Sequence, residues 1–318
     1  MKQHQHYIPE SYLKNFSKNR SGRVIAYKRD GTFILGKAKD FCGENEFYSF
    51  IQESGETNRG IEDMFGVVDD GGATAIRRLL HNEDPASLTE EDRINLALFF
   101  SFLLVRDRRY KEQIRNMVDL TTRIQFRAVA FDKLAFKKLF DDYDEELSDD
   151  DLKMIRETIL SDRYEVGCPG EHWLEIWMEM AVAVFPHVLE KKYWSFTGVH
   201  YPDEVIIVSD SPATVLQPTD PRKSLGVANG ILYLPLSPST CLFFHDEEDS
   251  LAFLMEEGAN HIAYLNHHQM FNAYRYIFSD FLMENVASAF VQTSKENSFR
   301  IVAKGPADLI PRQYREDG

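Results

Sequence analysis

The feature that most constrains the fold is a change of period at Tyr193. Upstream, apolar residues recur at helical spacing over Ile61–His81, from Thr89 through Asn116, and over Arg123–Phe140, Leu152–Leu160 and His172–Lys191. Downstream, Trp194–Val199, Val205–Ser209, Ile231–Leu236 and Cys241–Phe244 are short, β-branched or aromatic runs bounded by turn residues. Asn260–Phe278 and Phe281–Val291 return to helical spacing. Ahead of all of them, Arg23–Lys28 and Phe33–Lys37 flank Arg29-Asp30-Gly31-Thr32, and Asp-Gly between such runs signals a hairpin. The pattern predicts a helix-dominated α+β domain over residues 1–292, with a small mixed or antiparallel sheet and an N-terminal β-hairpin. Residues 293–318 read as a polar tail.

Local signals refine this. Pro9 opens a short helix over 9–17, and Glu46–Phe50 reads as a further strand. Thr89 with Asp92 forms a capping-box pattern. Gly66, Gly71 and Gly72 weaken the 61–81 helix, and Asp141–Asp151 reads as a solvated acidic loop.

Composition excludes several function classes. Lys and Arg number 36 against 51 Asp and Glu, giving a net charge of −15. So acidic a surface repels phosphate backbones and disfavours extended nucleic-acid binding. Cys42, Cys168 and Cys241 are odd in number, far apart and form no CxxC pair. That argues against a disulfide framework or a thiolate zinc site and fits a cytoplasmic setting. No apolar stretch is long enough to span a bilayer, since Leu96–Val105 is interrupted by Ser101. The first residues lack the apolar core of a signal peptide. Walker, dinucleotide-binding and nucleophile-elbow motifs are absent.

Four polar constellations remain. His6-Tyr7-Ile8-Pro9, with Leu13 and Phe16, is an aromatic, apolar start. His6 is either an acid–base or ligand group or a hydrogen-bonded pin. The apolar run 205–208 ends in Ser209-Asp210-Ser211-Pro212. Asp210 there is either a base, a metal ligand or the orienting partner of a histidine or arginine, or else a turn-former. Arg106 shares a helical stripe with Phe99 and Leu103, so it needs a carboxylate partner, for which Asp210 and Glu62 are the candidates. It either clamps a substrate anion or makes a structural ion pair. In the late helix, His261, Leu265, His268, Asn272, Arg275 and Ser279 fall on one stripe and Asn266 on the next, lining a pocket or facing solvent.

Taken in order, the opening His6–Pro9, Arg106 with Arg109, Ser209-Asp210-x-Pro212, Pro235-Leu236-Ser237 and Asn266…Arg275…Ser279 resemble the DUF4238 family, with Glu10 standing where members often carry Gln. The resemblance implies an intracellular protein of bacterial type with one domain, and it supplies no reaction. Its polar positions, drawn from distant segments, point to a shared cleft. The expectation is a hydrolase for a phosphoester, nucleotide or nucleic-acid substrate, a chemistry that would suit a toxin or defence effector. His6, Arg106 and Asp210 would be catalytic, and Arg109, Ser209, Asn266, His268 and Arg275 would bind a small phosphate-containing anion. The oxygen- and nitrogen-rich set suits Mg²⁺ or Mn²⁺. The alternative is a non-catalytic binding or regulatory module whose polar network fixes the fold; a third is an interaction subunit using its aromatic helices.

Overall fold

A computed structural model describes residues 4–45, 47, 50–51, 57–58, 60–140, 148–166, 170–199, 204–216, 226–246, 251 and 261–296. The strand expected over 46–50 falls largely outside these residues, as do the 141–147 loop, Cys168 and the tail from 297. The chain divides into two compact units, one of residues 1–111 and 170–298 and the other of 112–169 and 299–318.

In chain order the elements are β1 (His4–His6), α1 (Glu10–Leu13), β2 (Arg23–Lys28), β3 (Phe33–Lys37), β4 (Gly43–Asn45), β5 (Phe50–Ile51), β6 (Thr57–Asn58), α2 (Gly60–Asn82), α3 (Glu90–Val105) and α4 (Arg108–Phe131). Then come α5 (Lys133–Phe140), α6 (Asp149–Leu160), α7 (Gly170–Leu189), β7 (Tyr193–Gly198), β8 (Val208–Ser209), β9 (Thr214–Leu216), β10 (Ile231–Ser237), β11 (Thr240–His245), α8 (His261–Asn272), β12 (Tyr276–Ser279) and α9 (Glu284–Glu296). The class is α+β with helix dominant, and the β2–β3 hairpin forms at the expected residues. Among the described residues the expected small antiparallel sheet is divided between two four-stranded sheets, β7-β11-β10-β9 and β3-β2-β12-β8, beside the short pairs β1-β4 and β5-β6. No helix among the described residues is long and apolar enough to cross a membrane.

In the first unit, β10 and β11 are buried almost throughout, and Tyr233, Phe243 and Cys241 pack with Ile262 and Leu265 of α8. The second sheet packs Tyr27 and Ile277 against Met270 of α8 and Phe290 of α9. The Tyr12 hydroxyl donates to the Pro235 carbonyl at 2.6 Å, which ties the start of the chain to β10. In the second unit, Ala130, Phe136 and Ile159 form a separate small core, and Arg123 bridges Asp119 and Asp162.

Several expectations are corrected. The helix beginning at Thr89 is capped as expected, with both capping-box bonds present, but it ends at Val105 rather than Asn116. The chain turns at Arg106-Asp107, and the Asp107 carbonyl accepts from Lys111 N–H at 3.1 Å to start α4, which runs unbroken through 116–123. Asp149–Asp151 are not loop: Ser148 caps them, and three acids suit the positive end of a helix. Pro9 is the N-cap of α1, which gives way after Leu13 to a 3₁₀ turn. The helix expected to Phe278 stops at Asn272, and Tyr276–Ser279 becomes an inner strand between β2 and β8. A run such as Tyr-Ile-Phe fits either period, and the two waiting strands decide it. The expected polar tail is helical as far as Glu296, and Thr293 is buried within it.

The glycines of α2 serve packing. A Cβ on Gly72 would lie 2.3 Å from Cγ and 2.6 Å from Cβ of Phe99 on α3. Those atoms sit at the root of a fully buried ring and cannot swing away. Gly72→Ala gains about 1 kcal/mol of helix propensity. Overpacking a dense core costs about 1–3 kcal/mol or more. Net destabilisation is therefore expected, measured as a lower denaturation midpoint.

Candidate functional site

Every residue of the candidate site lies in the first unit. Strand β1 runs antiparallel to β4 with His6 opposite Gly43, and Tyr7 N–H continues the pairing onto the Cys42 carbonyl at 2.8 Å. This ladder buries Tyr7 and Ile8 and leaves the His6 ring half-exposed. The His6 Nε2 lies 2.9 Å from the Lys39 carbonyl oxygen. A carbonyl only accepts, so the neutral ring carries its proton on Nε2 and presents Nδ1 as its acceptor.

Arg106 closes α3. Its guanidinium, 1% exposed, grips both oxygens of Asp69 on α2, at 2.5 and 3.3 Å, and lies 5.3 Å from the centre of the Phe65 ring one turn earlier. The partners expected for Arg106 are corrected: the carboxylate is Asp69, whereas Glu62 accepts from Gln5 Nε2 at 2.8 Å. Burial raises the Asp69 carboxyl above its ordinary range, against the opposing pull of Arg106 and of His6, which lies within electrostatic reach. Arg106 thus pairs directly with Asp69, and His6 lies within electrostatic reach of that pair.

Asp210 belongs to the neighbouring layer. It is fully buried at the end of β8. Its Oδ1 accepts from Tyr274 N–H at 2.7 Å, and its Oδ2 accepts from Arg275 and Tyr276 N–H at 2.7 and 3.1 Å. These three donors belong to the turn that ends α8 and starts β12. Burial, reinforced by nearby Asp107, pushes the Asp210 carboxyl up to about 7 despite the three donors. Tyr7 and Cys42 feel the same negative charges, and burial holds the phenol and the thiol above their ordinary values. The Ser211 hydroxyl beside Asp210 is buried without a hydrogen-bond partner among the described residues.

The rim carries further charge. Arg108 pairs with Glu44 of β4 and sits 5.1 Å from the centre of the Tyr274 ring, where Arg275 also rests at 5.5 Å. Arg108 and Glu44 side chains keep 24% and 31% of their surface, and Asp69 keeps 20%. This edge is the accessible part of the cluster.

The remaining predicted binding residues lie in a second network, centred on α8. Asn266 accepts from Ile207 N–H at 3.0 Å and donates to the Val205 carbonyl at 2.7 Å. Its amide thus replaces a strand partner, which explains why only Val208–Ser209 of the expected 205–209 strand joins the sheet. Ser209 N–H and Oγ both donate to Gln269 Oε1, while Gln269 Nε2 donates to the Pro212 carbonyl and the Tyr233 hydroxyl. His268 packs edge-on against Tyr264, its pKa lowered by burial. Arg275 is parted from that helical stripe by the turn at 273–275. Arg109 is in α4, with its side chain outside the described residues. Asp69, Asp107, Arg108 and Gln269 are the residues that sequence reasoning missed.

Among the described residues, no group of three or more His, Cys, Asp or Glu side chains is arranged to hold a metal ion. Asp69 faces Arg106, and Asp210 faces backbone N–H groups. The set expected to suit Mg²⁺ or Mn²⁺ does not assemble on these residues, and no step below runs through a metal.

No curated protein and no solved structure matches the chain. The family described as Protein of unknown function (DUF4238) matches residues 4–280, the span that contains the His6–Asp69–Arg106 cluster and the Asp210 turn. The chain belongs to the DUF4238 family.

Proposed function

We propose that this cluster binds a small phosphate-containing anion and hydrolyses its ester. The carrying observation is a half-exposed imidazole, oriented by the Lys39 carbonyl, within electrostatic reach of a carboxylate–arginine pair brought from two other segments. Arg108 and Arg275 at the rim supply the charge to hold phosphate oxygens. His6 Nδ1 takes a proton from water as the water oxygen bonds to phosphorus. The ester P–O bond breaks, and the proton passes from His6 to the leaving oxygen. Asp69 and Arg106 position the ring and the rim. Asp210, with no exposed surface, acts as a positioning residue that builds the 274–276 turn. Extended nucleic acid is a poor substrate for so acidic a chain, so a nucleotide or short phosphodiester fits better. The buried free thiols Cys42 and Cys241 support a cytoplasmic setting.

One observation favours a second reading. Asp210, Ser209, Asn266 and Gln269 have backbone or buried partners for their polar groups, as a fold-fixing network requires. On that reading the protein is a binding module. A panel of phosphoesters and short nucleic acids, assayed with and without divalent cations, separates the two. The hydrolase reading expects turnover by the wild type. Arg108→Ala, which removes a partly exposed ion pair with Glu44 and a contact with the Tyr274 ring, should raise KM about tenfold and leave kcat nearly unchanged. Absence of turnover across the panel, with phosphate still protecting the fold against denaturation, establishes the module instead.

A further inference from the structure

Strand β3 is an outer strand of its sheet: β2 pairs with one side, and no described strand pairs with the other. The register shows which groups that side presents. Lys28 N–H bonds the Thr32 carbonyl at 2.8 Å, and Ala38 N–H bonds the Gly22 carbonyl at 2.7 Å. Counting inward from both ends by the antiparallel alternation, Ile34 and Gly36 bond to β2, while Phe33, Leu35 and Lys37 turn their N–H and carbonyl groups outward. Lys37 N–H is capped by Asp40 at 3.2 Å, so the open row is centred on Phe33 and Leu35. Outer strands are normally blunted by charge or proline. This one instead exposes three consecutive apolar side chains, Phe33, Ile34 and Leu35, at 51%, 39% and 63%. Phe33 and Leu35 share the face of Ile25 and Tyr27, so they continue an apolar core surface beyond the helices that cover it.

Charge says what covers it. Residues 14–40 hold eight Lys and Arg against two acids, Asp30 and the Asp40 that caps Lys37 N–H, in a chain whose net charge is −15. Lys18, Arg20, Arg23, Lys37 and Lys39 are exposed, and Arg23 stands directly opposite Lys37 across the hairpin. Like charges so placed repel unless an anion joins them. A second copy of this acidic chain brings the same cations to the same edge. We infer that the β3 edge docks an extended segment of a partner protein, apolar alongside Phe33–Leu35 and acidic where it reaches Lys37, Arg23 and Lys39. The peptide adds as a strand through the outward backbone groups. This site is independent of the hydrolase reading.

The test uses the full chain and a labelled synthetic peptide of alternating valine and threonine followed by a run of glutamates, read by fluorescence anisotropy. Saturable binding that weakens with salt is expected. Leu35→Pro removes an outward N–H without touching a β2 bond, so it should weaken binding at least tenfold while circular dichroism stays unchanged. Lys37→Glu should do the same through charge. A peptide with lysines in place of glutamates, or with a central proline, should bind at least tenfold more weakly. Binding insensitive to Leu35→Pro overturns the proposal, as does equal affinity for the lysine peptide. Self-association of the free chain that Leu35→Pro abolishes also overturns it, by assigning the edge to a second copy. Capture on anionic vesicles without peptide binding overturns it in favour of a lipid surface.

Discussion

Asp210→Ala is expected to unfold much of the protein at ordinary temperature. The substitution strips acceptors from three backbone N–H groups, those of Tyr274, Arg275 and Tyr276, at a position with no solvent access. Each buried donor left without a partner costs about 1–3 kcal/mol, so the three together cost on the order of 3–9 kcal/mol. Native stability is only about 5–15 kcal/mol. Asp210→Asn keeps one acceptor oxygen but sets an NH₂ against a backbone N–H, so its cost lies between wild type and alanine. The asparagine variant also isolates the proton linkage. The folded carboxyl titrates at about 7, above its ordinary 3.8, because burial and Asp107 disfavour the charge. A raised carboxyl binds its proton more tightly in the folded state, so its contribution is complete below the unfolded pKa. It is lost as pH rises through about 7. The stability difference between wild type and Asp210→Asn should therefore shrink from pH 4 to pH 8, measured by urea denaturation. A flat difference would show that the three N–H groups keep the carboxylate ionised throughout.

The parts of this fold legible in the sequence are those set by neighbours along the chain. The β2–β3 hairpin follows from Asp-Gly between two alternating runs, and the start of α3 follows from Thr89 and Asp92. The end of α3 is not legible, because Arg106-Asp107-Arg108 contains neither Gly nor Pro, and Asp107 alone is too weak a breaker to mark it. Asp69 sits beside Asp70 on a helix, where adjacent side chains point apart, so the two acids do not read as a dyad. Only the approach of α3, permitted by Gly72, puts a guanidinium over it. Gln269 carries no chemical signature, yet it organises the backbone from Ser209 to Pro212. The site was legible as a set of polar residue types from distant segments. Their sorting into a rim around His6 and Asp69, and a sealed layer around Asp210, depends on contacts between elements that no local pattern encodes.

His6→Ala should leave the fold intact and remove most of the turnover. The ring is half-exposed, and its hydrogen bond to the Lys39 carbonyl is at the surface, so losing it costs about 0.5–1.5 kcal/mol. The burial of the start of the chain rests elsewhere, on Tyr7, Ile8, Tyr12 and the β1–β4 ladder. A positioned acid–base group contributes about 10²- to 10⁴-fold to rate. Loss of that size should appear in kcat, with KM changed little, because the proposed function assigns phosphate binding to Arg108 and Arg275 rather than to the imidazole. Asp69→Asn supplies the contrast. It removes the charge facing buried Arg106, so stability falls along with turnover, whereas His6→Ala separates the two. Turnover within about threefold of wild type in a folded His6→Ala variant would dismiss the imidazole as the proton carrier, since no general acid–base role is that small.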